Sequence, residues 1–159
     1  MGEDWPGFWI RRYEDSDHDA VWTLDQLALE PVGAHRGFDG SDEDLHAIRA
    51  VYLDAGGEFV VGLLGQEIVA MGALRRAGPV RAEVKRMRVA PHRQGQGFGR
   101  QVLDHLEGRA RELNLTQLHL TTTTRQLGAQ ALYRGGYRET GRGHEGPFDV
   151  IFFEKRLDP

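Results

Sequence analysis

The run Gln94-Gly95-Gln96-Gly97-Phe98-Gly99 has the residue types and spacing of a phosphate-binding turn. A strand-like segment from Val84 leads into it, and an amphipathic helical pattern follows at once. Glycines let the backbone turn with no Cβ in the way, and the first turn of a helix leaves N–H groups unpaired. Those N–H groups, with the positive end of the helix dipole, favour an anion. Arg81, Lys85, Arg86, Arg88, Arg93 and Arg100 crowd around this turn in a chain whose net charge is −4. The sequence therefore places a phosphorylated ligand at residues 94–100, in a locally positive pocket.

Other chemistries are narrowed by what is missing. There is no Cys, which removes disulfides, thiolate metal sites and a cysteine nucleophile, and fits a reducing cytoplasm. The seven histidines show no metal-ligand spacing, so no metal is expected. A P-loop would end in Gly-Lys-Ser/Thr, whereas this turn ends in Gly99-Arg100-Gln101. A dinucleotide fingerprint would place a third glycine at position 100, where Arg100 stands. The acidic balance argues against nucleic acid as the main partner. No apolar run is long enough to span a bilayer, and the first residues lack the order of a signal peptide.

The elements that must position the turn can be read in order. Phe8–Tyr13 is strand-like, and Val21, Leu24, Leu27 and Ala28 recur at helical spacing behind cap candidates Asp15, Ser16 and Asp17. Residues 31–40 read as a loop. Ser41 to Asp44 has the form of a capping box, opening a second helix through Leu45, Ile48, Val51 and Tyr52. Phe59–Leu64 and Glu67–Leu74 are strands joined by a tight hairpin at Gly65-Gln66, and residues 82–90 form a further strand. A helix over 98–113 follows, then a Thr-rich strand at 118–124 and a short helix at 126–134. Residues 137–140 and 150–156 are the last two strands, separated by a polar, Gly-rich loop at 141–149. The order is that of one mixed α+β domain over residues 1–159.

The chain resembles the GCN5-related N-acetyltransferase (GNAT) superfamily. The resemblance rests on Gln94-Gly95-Gln96-Gly97-Phe98-Gly99, matching the family's acyl-CoA loop in register, and on Met87-Arg88-Val89-Ala90-Pro91 as the strand before it. Ala129, Leu132 and Tyr133 match the family's last helix, with Gln126 where Asn is usual. The element order is also the family's. The resemblance implies an α/β sandwich: a mixed, mostly antiparallel sheet of about seven strands flanked by about four helices. It implies an N-acetyltransferase that moves the acetyl group of acetyl-CoA to a primary amine on a small molecule or peptide. Dimers are common in the family. A non-catalytic CoA-binding or sensory domain, and a nucleotide-binding regulatory module, are the competing readings.

Acyl transfer from a thioester needs a neutral amine, a positioned carbonyl, a donor for the oxyanion and a donor for the departing thiolate. Without a nucleophilic Cys, direct attack in a ternary complex is favoured over an acyl-enzyme. The resemblance implies Tyr133 as general acid at the sulfur. Glu83, eleven residues before Gln94, is implied as base. It further implies the Met87 backbone N–H as oxyanion donor, and backbone groups around Met87, Arg88 and Val89 along the pantetheine arm. N–H groups from Gly95 to Arg100 would hold the pyrophosphate, helped by Arg93 or Arg100, with Gln126 a further contact. Lys85 could pair with Glu83 along the strand face. Arg86 and Arg88 on a central strand either pair with acids of a neighbouring helix or face the acceptor, and pairing is favoured. Residues 31–40 and 141–149, with His35 and His144, are expected to border the acceptor pocket.

Overall fold

The computed structural model describes residues 7–30, 33 and 42–158. Its strands are β1 (Phe8–Arg12), β2 (Glu58–Leu64), β3 (Glu67–Arg76), β4 (Arg81–Val89), β5 (Gln117–Thr123), β6 (Arg138–Glu145) and β7 (Phe148–Arg156). They form one seven-stranded sheet in the order β1-β2-β3-β4-β5-β7-β6. The β4–β5 pair is parallel, and the other neighbours are antiparallel. The helices are α1 (His18–Leu29), α2 (Phe98–Glu112) and α3 (Leu127–Arg134). The expected mixed sheet with its flanking helices is therefore what the chain adopts.

β2 and β3 are buried almost throughout, because helices cover both faces of the sheet there. The side chain of Met87 lies on the α2 side, since a Cβ built on Gly72 would meet Met87 Sδ, Val102 and Leu106 together. Arg88, the next residue, reaches Asp25 of α1. Strand alternation thus sets α1 and α2 on opposite faces.

Two sequence readings need correction. The second helix is an irregular helical segment, a 3₁₀ turn at Glu43–His46 followed by a π-helical turn at Arg49–Leu53. Its Tyr52 hydroxyl donates to Asp44 inside the segment, and Leu45, Ile48 and Tyr52 are all buried. Ser41, the expected cap, and most of the 31–40 loop lie outside the described residues. The expected loop at 141–149 is mostly strand: β6 runs to Glu145 and β7 begins at Phe148, in register from Glu145↔Phe148 to Gly141↔Phe152, with a one-residue shift before Glu139↔Phe153 and Arg138↔Glu154. Backbone pairing wins there over Gly-rich composition.

Gly72 marks the one irregularity that shapes the site. Met71 pairs with Arg88 and Ala73 with Lys85, so Arg86 and Met87 together oppose Gly72. This is a β-bulge, and it puts Arg86 at φ 57, left-handed for a non-glycine residue. The missing side chain at Gly72 gives the bulged strand its room, since a Cβ there would lie 2.6 Å from Met87 Sδ.

Candidate active site

β4 and β5 pair at Arg81↔Gln117, Ala82↔Leu118 and Glu83↔His119, and then part. The gap that opens is the centre of the site. Arg88 is bonded in register to β3 opposite Met71, so the alternate residues Met87 and Val89 turn their backbone groups to the gap. Their carbonyls are occupied by side chains: Arg88 Nη1 donates to Met87 O at 3.1 Å, and Gln94 Nε2 donates to Val89 O at 3.2 Å.

Below the gap lies the glycine turn. Gly95 (φ 77) and Gly97 (φ 87) are both left-handed, and a Cβ on either would meet no heavy atom within 4 Å. The turn is open on that side. Gln101 N–H bonds back to Gly97 O at 3.1 Å, so the N–H groups before it precede the intrahelical ladder of α2. Among the described residues, Arg93 Nε and Gln96 Oε1 are buried with no hydrogen-bond partner. A glycine turn at a helix start, with room for a ligand and an unpartnered buried guanidinium nitrogen, fits a bound phosphate. Phe98 differs from the other turn residues. Its ring is buried and stacks on Phe8 with the centroids 4.2 Å apart, so its side chain belongs to the core. Arg100 Nη2 donates to Leu132 O at 3.2 Å and ties α2 to α3.

Two adjoining cavities meet at the gap. One, of about 300 Å³, runs over the glycine turn and α3, with Arg93, Gln94, Arg100 and Leu132 in its wall. The other, of about 200 Å³, lies towards Glu83, Lys85, Thr121, Glu145 and Phe148. Met87, Arg88, Gln126 and Tyr133 line both. Tyr133 is 5% exposed, packed edge-on to Tyr137 and tilted against Phe153. Burial pushes its pKa up to about 12, with nearby Arg88 pulling the other way. It is a neutral phenol at any ordinary pH.

The structure brings together Glu83, Met87, Arg88 and Tyr133 at one cavity, with Gln94 to Arg100 at its neighbour. Gln126 lines both, but its amide oxygen accepts from Thr123 N–H and Thr123 Oγ1, so it caps the turn into α3. Lys85 makes no ion pair with Glu83 among the described residues. His144 is an exposed strand residue paired with Asp149 at 2.7 Å, and His35 lies outside the described residues.

Arg86 and Arg88 pair with acids, as the desolvation argument favoured. Arg86 bonds Asp25, Asp42 and Asp44, and Arg88 Nε bonds Asp25 at 2.9 Å. Burial alone would raise the Asp44 pKa, but the hydrogen bond and charge of Arg86 hold it below the usual carboxylate range. These acids went unread because they lie 42 to 63 residues away in sequence. Thr122 was missed too. The signal was present: β5 alternates with Leu118, Leu120 and Thr122 buried, so a polar residue occupies an apolar phase.

The acetyltransferase (GNAT) family model matches residues 21–137. No curated protein matches the chain. Among solved structures the chain is similar to a GNAT-family acetyltransferase of Staphylococcus aureus Mu50 (23% identity, 95% of this chain and 99% of that one, TM-score 0.86). It is similar to an acetyltransferase of Streptococcus agalactiae 2603 (20%, 96% and 100%, TM-score 0.87). It is also similar to the paia N-acetyltransferase of Thermoplasma acidophilum, solved in complex with coenzyme A (14%, 94% and 99%, TM-score 0.74). At these identities the solved structures speak for the fold.

Proposed function

The chain belongs to the acetyltransferase (GNAT) family, and on that premise we propose that it acetylates a primary amine from acetyl-CoA by direct attack in a ternary complex. One observation carries the reading: Tyr133 lines both the cavity over the glycine turn and the cavity beside Glu83, at the point where β4 and β5 part. A cofactor entering over the turn and an acceptor entering beside Glu83 meet there.

Backbone N–H groups from Gly95 to Arg100 hold the pyrophosphate, and Arg93 supplies its unpartnered Nε. Met87 and Val89 offer their backbone N–H groups along the open edge of β4, and their carbonyls become available to the pantetheine arm if Arg88 and Gln94 release them. Acetyl-CoA supplies an activated acetyl carbon, and a C–N bond forms there as the C–S bond breaks. Glu83 accepts the proton that the amine must lose, directly or through one water. The Met87 N–H faces the carbonyl oxygen as negative charge grows on it. Tyr133 donates to the sulfur. With burial holding the phenol's pKa well above its ordinary value, complete proton transfer to the departing thiolate is uphill, so the hydrogen bond supplies most of the help. The proton lost by the amine balances the one gained by the thiol.

The acceptor in this reading is an amine of a small molecule or peptide, as the family relation supports. Release of free thiol from acetyl-CoA over a panel of amines and peptide N-termini tests the reading, with calorimetry against CoA, ATP and NAD. Thiol release with one acceptor supports it. CoA binding with no release from any amine would favour a sensory domain, and ATP binding without CoA binding would sink it.

A further inference from the structure

Among the described residues, four buried side-chain polar atoms lack a hydrogen-bond partner: Arg93 Nε, Gln96 Oε1, His119 Nδ1 and Thr122 Oγ1. Two belong to the glycine turn. Thr122 belongs to the other end of the groove. It is 4% exposed and lines the cavity that also holds Glu83, Met87 and Tyr133. A buried hydroxyl without a partner destabilises the fold, so its presence calls for a ligand or a function.

The side of the sheet that Thr122 faces can be fixed. Leu118, Leu120 and Thr122 share the buried phase of β5, and Leu120 pairs directly with Phe153 of β7. Opposed residues in an antiparallel ladder point to the same face. Tyr133 packs its ring against Phe153 on that face. Thr122 and Tyr133 therefore approach the gap from the same side. They are not bonded to each other, because Thr122 Oγ1 has no partner. Both line the same cavity, so Thr122 Oγ1 is open to an acceptor other than the atom that Tyr133 meets.

Resting on the reading of the gap as an acetyl-CoA site, we propose that Thr122 Oγ1 donates a hydrogen bond to the thioester carbonyl oxygen, as a second donor beside the Met87 N–H. The chemistry selects that atom. The sulfur already has Tyr133 as its donor in this reading, and the methyl is no acceptor. The amine must keep its lone pair for attack, so a bond to it there would hinder the reaction. The carbonyl oxygen gains charge during attack, so a donor aimed at it strengthens when it is needed.

The test uses the full chain and the variants Thr122→Val and Thr122→Ser. Three measurements are made: thermal melting without ligand, calorimetry with acetyl-CoA and with CoA, and thiol release. Thr122→Val should melt no lower than the parent, since it removes an unpartnered hydroxyl. It should bind acetyl-CoA about fivefold more weakly while CoA affinity is kept. Its kcat should fall about tenfold or more, and Thr122→Ser should restore both. Acetyl-CoA binding equal to the parent's would overturn the contact, and so would equal losses for acetyl-CoA and CoA. If no amine releases thiol from the parent but the acetyl-CoA preference still drops in Thr122→Val, the transfer reading fails and the contact stands. A parent that binds neither ligand overturns both.

Discussion

Glu83 and His119 stand side by side on the last rung at which β4 and β5 pair. Beyond them the two strands diverge, so this rung is the apex of the gap. Glu83 lines the cavity that it shares with Met87, Thr122 and Tyr133, and in the proposed reaction it is the group placed to take the amine's proton.

Glu83→Gln keeps the shape and removes the proton acceptor. Turnover at neutral pH should fall about 10²–10³-fold, within the range for a positioned general base. The deficit should shrink as pH approaches the acceptor amine's own pKa, where the amine is already neutral. Steady-state rates from pH 6 to 10 decide it. A deficit of the same size at every pH would remove Glu83 from the base role.

Tyr133→Phe should lower kcat roughly tenfold to a hundredfold and leave CoA affinity within about twofold, because only one donor to the sulfur is lost. With its pKa pushed up to about 12, Tyr133 does not titrate below pH 10. The parent-to-variant rate ratio should therefore be flat across that range. A ratio that falls with a midpoint near pH 8 or 9 would contradict the buried, neutral phenol.

Arg86→Met removes the cation that Asp25, Asp42 and Asp44 surround. Breaking a buried pair by deleting one partner typically costs about 3–5 kcal/mol, because uncompensated charge stays behind. Urea unfolding should show a loss of that size. The double variant Arg86→Met with Asp44→Asn should recover part of it, since one of the stranded charges goes too. No recovery would mean that the acids do not act through Arg86.

Gly97→Ala asks an L-residue to hold φ 87 at the start of α2. Nothing in the protein lies within 4 Å of the new Cβ, so the stability cost is conformational, about 1–2 kcal/mol. The methyl enters the space assigned to the pyrophosphate. Calorimetry should show CoA affinity falling about tenfold, more than the stability loss alone explains. Unchanged affinity would move the phosphate away from this turn.

Acid should destabilise the protein in two stages. Burial lowers the His119 pKa, against a smaller opposing pull from Glu83. The unfolded chain then binds more protons than the folded one just below about pH 6.5, and stability falls with pH there. Glu58 is also perturbed: burial alone would raise it, but Arg12, the Phe59 N–H and Arg109 hold it lower. Its contribution is complete above about pH 4.3 and is lost as pH falls through its folded value. Melting curves in steps from pH 7 to 3 should show both stages. His119→Gln should flatten only the first, and Glu58→Gln only the second.

The parts legible in the sequence were those where a local pattern reports a local need. The turn at 94–99 announces its left-handed positions through glycine, and the helix after it through periodicity. The start of β6 reads as strand, but its continuation from Gly141 to Glu145 was hidden because this edge strand has no fully buried position and so no alternation to read. The bulge was hidden because it exists only in the register of β4 against β3, and its cause, Gly72, sits on the other strand. The partners of Arg86 were hidden for a similar reason. Composition shows that acids are present, but only the packing of α1 and the 43–53 segment over β4 shows which ones arrive.

The placing of β7 between β5 and β6 carries a consequence for assembly. β5 pairs with β4 over three positions, Gln117 to His119, and with β7 along its whole length. One wall of the gap is thus fastened by the strand that is synthesised last among the seven. A nascent chain that has not reached Phe148 already contains the glycine turn and α2, yet its β5 is held at one short end. Such long-range pairing is slow and leaves strand edges exposed while it waits. The half of the molecule that holds the glycine turn can take shape early, and the cavity beside Glu83 only when β7 slots in.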